Sequence, residues 1–344
     1  MNTKLFQEIN QECDSLQLTE EYNKDIVKDI VQLIKSSNIT NVVIAARGSS
    51  DHVGLYFKYI FETFAHIPVG MAAMSVTTKY DSYINCEHTL VIAISQSGAG
   101  VDITDYVLQA KKHKALTLGI TNNLDSIVAK ACDVNLYLNL TKEESLAATK
   151  TFISQMFAAL LLAAEYTQEP RLLEAVKAVK GSVKSVIDDV ENIKTFVNFF
   201  KGKIDCYMLG RGFDLVSAFE SALKIQETTY IKGKAYPISD FYHGPFAISD
   251  ENQNFVVFCS KGQCYGDAIE MIGKLLEVKA NLLVITNDKD LKVDARTIYH
   301  EEGDEVIAPF MNIVTMQILV NFVAIDKGIN PDHPRNLKKV TITR

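Results

Sequence analysis

NVVIAARGSS (residues 41–50) and CYMLGRGFDL (206–215) are the two stretches whose likeness decides the fold: each is a short apolar run, and Arg47-Gly48 in one matches Arg211-Gly212 in the other. At nearly the same spacing HTLVIAISQSGAG (88–100) parallels NFVVFCSKGQCYG (254–266), and ALTLGITNN (115–123) parallels NLLVITNDK (281–289). Three matched pairs at nearly the same spacing mark an internal duplication. Between the Val/Ile/Leu runs lie helical segments such as VDITDYVLQAKKHK (101–114) and DAIEMIGKLLEVKA (267–280). Each half therefore reads strand, turn, helix, strand, turn, helix, strand. Apolar runs buried on both faces and alternating with helices predict an α/β fold of two doubly wound parallel-sheet domains.

Length agrees, since 344 residues at roughly 150 per domain make two domains. The expected organisation is an N-terminal helical segment over 1–30, a first domain over 31–168 and a helical bridge over 169–200. A second domain follows over 201–330, and then a Pro-rich tail over 331–344. Gln168-Glu169-Pro170 breaks a helix at the first boundary. With 35 basic against 42 acidic residues the chain carries a formal charge of -7. It lacks the basic footprint of a nucleic-acid binder, so no nucleic-acid partner is expected.

The N-terminus has no secretory pattern. The two most apolar stretches, 153–163 and 312–325, carry amides and fall short of a membrane span of about 20 residues. They read as buried core or subunit-interface helices, and no membrane partner is expected. Six scattered cysteines form no C-x-x-C pair. A reduced, cytoplasmic protein without structural zinc is predicted, with no metal or organic cofactor implied.

In open parallel sheets ligands sit beyond the carboxyl ends of the strands. After the strand at 89–94 comes Ser95-Gln96-Ser97-Gly98-Ala99-Gly100, and after the preceding strand Gly48-Ser49-Ser50. Small hydroxyl residues and a helix start suit a phosphate, whereas the plainer reading is a Ser N-cap in each turn. The corresponding loop of the second half, Ser260-Lys261-Gly262-Gln263, lacks the paired serines, so one site per chain is expected. Glu143 to Lys150 leads into the apolar helix after a strand at 134–139. Thr149 could add a hydroxyl to the cradle, or the acids could simply occupy a helix first turn.

In LVSAFESALKIQETTYI (215–231), Glu220, Lys224 and Glu227 fall on one helical face. Spacing alone favours a surface ion pair worth tenths of a kcal/mol, against a reading of Glu227 as a general base tuned by Lys224. His243, before Gly244-Pro245, sits in a rigid turn and is a proton shuttle if it faces a pocket. The tail 330–341 reads as a frayed terminus, or as a lysine brought to a carbonyl carbon.

Taken together these motifs resemble the sugar isomerase (SIS) domain family. They are most similar to its tandem branch: the isomerase half of glucosamine-6-phosphate synthase, and phosphosugar isomerases, deaminases and fructosamine-6-phosphate deglycases. The resemblance runs from about residue 30 to the C-terminus. It implies that Gly48, Ser49, Ser50, Ser95, Gln96, Ser97, Gly98 and Thr149 bind the substrate and its phosphate. By the same resemblance Glu227 moves a proton between C1 and C2, on a helix that also carries Glu220 and Lys224. His243 assists ring opening, often from the neighbouring subunit, and Lys339 of Pro334-Arg335-Asn336-Leu337-Lys338-Lys339 reaches the carbonyl. A homodimer with shared active sites and a sugar-phosphate substrate are implied.

The family's S-Q-S-G-E-T ends here in Ala99-Gly100, and its V-A-S-T-K becomes Leu146-Ala147-Ala148-Thr149-Lys150; each change removes a hydroxyl. With only 40 residues ahead of Asn41 and no N-terminal cysteine nucleophile domain among them, no glutaminase activity is expected. The expected function is isomerase-type chemistry on a 6-phosphorylated amino sugar or fructosamine, with C–N bond cleavage as in a deaminase or deglycase. Simple aldose–ketose isomerisation and a non-catalytic phosphosugar sensor are the alternatives.

Overall fold

The structure, a computed structural model, describes residues 3–339. In chain order the helices and strands begin with α1 (Lys4–Ile9), α2 (Glu12–Asn23), α3 (Ile26–Ser36), β1 (Asn41–Ala46), α4 (Ser49–Ile60), β2 (Val69–Met71) and α5 (Ser75–Thr78). Next come β3 (Thr89–Ile94), α6 (Val101–Lys112), β4 (Leu116–Thr121), α7 (Ile127–Ala131), β5 (Val134–Tyr137), α8 (Lys150–Thr167), α9 (Pro170–Asp188) and α10 (Val190–Lys194). The remainder is β6 (Asp205–Gly210), α11 (Asp214–Thr229), β7 (Lys232–Pro237), α12 (Ile238–Phe241), β8 (Asn254–Phe258), α13 (Tyr265–Glu277), β9 (Asn281–Thr286), β10 (Arg296–Tyr299) and α14 (Ala308–Asp326). Two compact units result, a first of residues 14–143, 150–177 and 338–339 and a second of 3–13, 144–149 and 178–337.

The first unit holds a five-stranded parallel sheet in the order β2-β1-β3-β4-β5. Val43 stands opposite both Gly70 of β2 and Val91 of β3, so the chain leaves β1 to one side and returns past it to the other. The reversal between β1 and β3 is the topological switch point where such sheets open a crevice. Every residue of β3 is buried, as an unbroken apolar run in a sheet covered on both faces requires.

The second unit repeats the plan in the order β10-β9-β8-β6-β7, with its reversal between β6 and β8. Each sheet has five strands, where the sequence predicts three core strands in each half and, in the first half, also the strand at 134–139 that is β5. The outermost strands lack an apolar signature: β2 has three residues, and β7, Lys-Gly-Lys-Ala-Tyr-Pro, carries the lysines and proline of a protected edge. β10 begins on an exposed arginine.

Of three expectations, two change and one is met. The N-terminal segment is three helices reaching Ser36, not one. The break at Gln168-Glu169-Pro170 is present, with Gln168 at φ +55° and Pro170 opening α9. The other change concerns α14, read from sequence as too short for a membrane span: it is long and apolar enough to cross one, the one such helix among the described residues, yet 89% of its apolar window is buried inside the protein, as the core reading expects. It packs on α11, α10 and α1 within the second unit. It is therefore core, and its apolar surface is not left over for a subunit interface.

Candidate functional site

At the switch point of the first unit two helices begin side by side in the sheet order, α4 after β1 and α6 after β3. Gly48, at φ +57°, is the N-cap of α4 and Gly100 that of α6, and neither helix has a side-chain cap. The Ser N-cap reading therefore does not hold. In the first turns Asp51 N donates to Gly48 O and Ile103 N to Asp102 Oδ1, each at 3.0 Å, and the positive ends of both helix dipoles lie at this switch point.

The loop between β3 and α6 is shaped by Gly98, at φ +65°. A Cβ there would stand 1.9 Å from Ser126 Oγ, the hydroxyl that caps α7 through Ala129 N. Ser95 Oγ accepts from Gly98 N at 3.2 Å and Ser97 Oγ from Ala99 N at 3.3 Å. Both hydroxyl protons thus stay available to donate. The amides of Gln96 and Ser97 have no acceptor among the described residues. Beside them lies a hollow of about 390 Å³ lined by Gln96, Ser97, Asn122, Asn123, Leu140 and Lys142. The resulting concavity is rich in donors and suited to an anion. A larger hollow, about 660 Å³, adjoins the first residues of β9 and β10, the edge of the sheet opposite to where ligands bind.

Arg47, whose guanidinium bonds the buried Asp102 carboxylate at 2.9 Å from Nε and 2.8 Å from Nη2, clamps the two loops together. Arg211 does the same to Asp267 in the second unit at 3.0 Å. The clamp is part of the duplication, and sequence matching found its arginines without their partners.

The second switch point is filled. Asp214, at the head of α11, takes Ser260 N on Oδ2 and Ser260 Oγ on Oδ1, both at 2.8 Å. Asn312 Nδ2 donates to Oδ1 at 2.9 Å. Burial pushes the Asp214 carboxyl up to about 6, against the pull of these donors. A carboxylate of the protein itself thus bridges the crevice that stands open in the first unit.

Farther along α11, Lys224 Nζ lies 3.2 Å from Glu220 and 2.7 Å from Glu227. Glu220 is 0% and Lys224 1% exposed, so the surface-pair reading is wrong: α11 is wedged between α14 and β7. Burial alone pulls the Lys224 pKa down. The two carboxylates outweigh it and hold it above the ordinary lysine value. Glu227, 20% exposed, is the member of the group that meets solvent. It does so beside a fixed positive charge.

His243 is exposed in the turn after α12, ahead of Gly244 at φ +129°, and its ring has no hydrogen-bond partner among the described residues. Thr149 is fully buried at the head of α8. Because α8 starts at Lys150, Glu143 and Glu144 are not in its first turn. Glu143 instead reaches the helix from seven residues upstream. Its buried carboxylate accepts from Thr151 N at 3.2 Å, Thr151 Oγ1 at 2.8 Å and Lys339 Nζ at 2.8 Å.

The described part of the tail, 330–339, is held by specific contacts rather than frayed, and residues 340–344 lie outside the described residues. Asp332 caps α1 by accepting from Lys4 N and Leu5 N. Arg335 N donates to Tyr230 OH at 2.9 Å, with its guanidinium 4.2 Å above that ring at the end of α11. Among the described residues no three His, Cys, Asp or Glu side chains gather as metal ligands.

Comparison with known proteins places the chain in a family. The SIS domain model matches residues 33–165 and 200–325, and the chain belongs to the SIS domain family. Within that family it is homologous to the isomerase half of glutamine–fructose-6-phosphate aminotransferase. The Aquifex aeolicus enzyme of that name is 31% identical over 314 residues, 90% of this chain and 52% of that protein. The chain spans about half the length of the curated relatives it matches. The C-terminal domain of the Francisella tularensis glucosamine-fructose-6-phosphate aminotransferase superposes with a TM-score of 0.88 at 22% identity, covering 97% of this chain and 98% of that one. The Thermotoga maritima glucosamine-6-phosphate deaminase gives 0.80 at 22% identity, covering 99% and 100%. At such identities these two likenesses concern the fold.

Proposed function

We propose that this chain is a phosphosugar isomerase-type enzyme that acts on a 6-phosphorylated amino sugar or fructosamine and cleaves its C–N bond. The observation that carries the reading is the buried ion group of α11. Lys224, held cationic between Glu220 and Glu227, leaves Glu227 as the solvent-facing carboxylate beside it. A carboxylate so paired is a base of fixed position, able to take a proton from one sugar carbon and return it to the next.

In this reading the phosphate lies on Gly48, Ser49, Ser50, Ser95, Gln96, Ser97 and Gly98, with Thr149 supporting the loop that follows. His243 opens the ring and Lys339 engages the carbonyl. Starting from the open-chain 2-amino aldose, Glu227 takes the C2 proton and returns it to C1, leaving an imine at C2. Water adds to that carbon and ammonia departs, giving the ketose phosphate. With a 1-amino ketose the same shift runs from C1 to C2, and an aldose phosphate and an amine result. Residues 31–168 form the phosphate-binding domain, 201–330 the acid–base domain, and 331–344 the tail that supplies Lys339. The enzyme works as a homodimer with shared active sites. Six free cysteines suit a reducing, cytoplasmic setting.

The test is an assay of the purified protein, without glutamine, on glucosamine 6-phosphate and fructosyl-amino-acid 6-phosphates, following amine and hexose phosphate. Amine release that falls about a hundred- to ten-thousand-fold in Glu227→Gln, with binding retained, supports the proposal. Proton exchange at C1 and C2 without amine release would reduce it to plain isomerisation. Binding with neither reaction would make the chain a sensor.

A further inference from the structure

One polar contact beneath the first switch point has no role in this account. Ser50, the second residue of α4, lies 3.1 Å through its Oγ from Oε1 of Gln155 on α8. Gln155 is 1% exposed, and its Nε2 has no partner among the described residues. The adjacent Ser154 Oγ is also buried and unpartnered. A buried carboxamide with an orphaned NH2 is unfavourable in the unliganded protein. In that arrangement the single proton of Ser50 goes to Gln155, and the hydroxyl can only accept. An anion needs the opposite. A half-turn of the amide about its terminal bond brings Nε2 to Ser50 Oγ, so the amide donates and the hydroxyl proton is released.

The second copy of the fold shows such a donor. Asn312, on the helix after the last strand of its sheet, gives Nδ2 to Asp214, the residue that sequence matching sets against Ser50. There the recipient is an anion. In the first copy the recipient is the neutral, buried hydroxyl of Ser50 at the head of α4.

Resting on the reading of this crevice as a phosphate site, we infer that Gln155 is a positioning residue whose amide turns to make Ser50 a donor to the substrate phosphate. Gln155 does not touch the substrate. It decides which way the Ser50 proton points.

The experiment is a double-mutant cycle on the full chain, titrating fructose 6-phosphate, glucosamine 6-phosphate and inorganic phosphate into the wild type, Ser50→Ala, Gln155→Met and the double variant. The expected result is about tenfold weaker binding in each single variant, with no further loss when Gln155→Met is added to Ser50→Ala. In turnover the loss should fall on KM with kcat nearly unchanged. In wild-type protein labelled with 15N-glutamine, one protected side-chain NH2 pair should shift on adding phosphate. That last measurement serves if Gln155→Met does not fold. Equal losses from Gln155→Met with and without Ser50, or a glutamine spectrum indifferent to phosphate, would overturn the inference while leaving the cradle intact. A wild type that binds none of the three probes would overturn the cradle, and the inference with it.

Discussion

Lys339 Nζ lies 2.8 Å from the buried Glu143 carboxylate, which also takes both donors of Thr151 at the head of α8. Lys339 itself is 29% exposed. One carboxylate therefore holds a helix start and the tail lysine. Removing its charge in Glu143→Gln should cost about 1–3 kcal/mol of stability and loosen the tail. Trypsin should then cut after Lys338 and Lys339 several-fold faster than in the wild type. Unchanged cutting would mean that the tail is held elsewhere.

The ion group of α11 makes a sharper claim. Lys224→Met leaves the buried Glu220 and the partly exposed Glu227 without a counter-charge, which should cost about 3–5 kcal/mol in urea unfolding. Neutralising all three positions, with Glu220→Gln and Glu227→Gln added, should restore most of that stability but no activity. If Lys224→Met alone is neutral, the group is not the buried network described here.

Two buried groups oppose each other in their response to pH. The folded pKa of Asp214, about 6, lies above the ordinary value of 3.8, so its contribution is greatest below about pH 4 and is lost as pH rises through 6. His300 is buried with its Nε2 3.2 Å from Thr315 Oγ1, and desolvation lowers its pKa to about 4. Its contribution is present above about pH 6.5 and is lost as pH falls through 4. By linkage each amounts to about 3 kcal/mol across the window. Asp214→Asn should make stability climb more steeply from pH 4 to 6.5, and His300→Gln should flatten it. Parallel curves for all three proteins would refute the assignment.

Gly98 and Gly48 both have positive φ, but only Gly98 lacks room. Gly48→Ala should cost the backbone penalty of about 1–2 kcal/mol. Gly98→Ala should cost more, because Ser126 must move and α7 loses its cap, and it should weaken phosphate binding as well. Equal melting temperatures for the two variants would contradict that packing.

Much of this was legible from the residues. The repeated Val/Ile/Leu runs announced parallel strands because a sheet covered on both faces tolerates little else, and Arg47 and Arg211 announced the duplication. The edge strands were hidden because three residues or a lysine-rich hexapeptide leave no period to read. Glu220 and Lys224 were misjudged for a different reason. An i, i+4 pair looks the same on a surface as in a core, and only the neighbours α14 and β7 decide. Glu143, Gln155 and Asp214 act through partners from 8 to 196 residues away, distances over which no local pattern speaks.

The carboxylate of Asp214 has an evolutionary consequence. When a binding fold is duplicated, the spare copy retains an appetite for the old ligand and remains a competitor for it. On the proposed reading, the Asp214 carboxylate satisfies that appetite from within by taking the donors of Ser260 and Asn312, which leaves the first crevice as the phosphate site. On that same reading Asp214→Ser would free those donors, and a second equivalent of inorganic phosphate taken up by the variant would register the opened crevice.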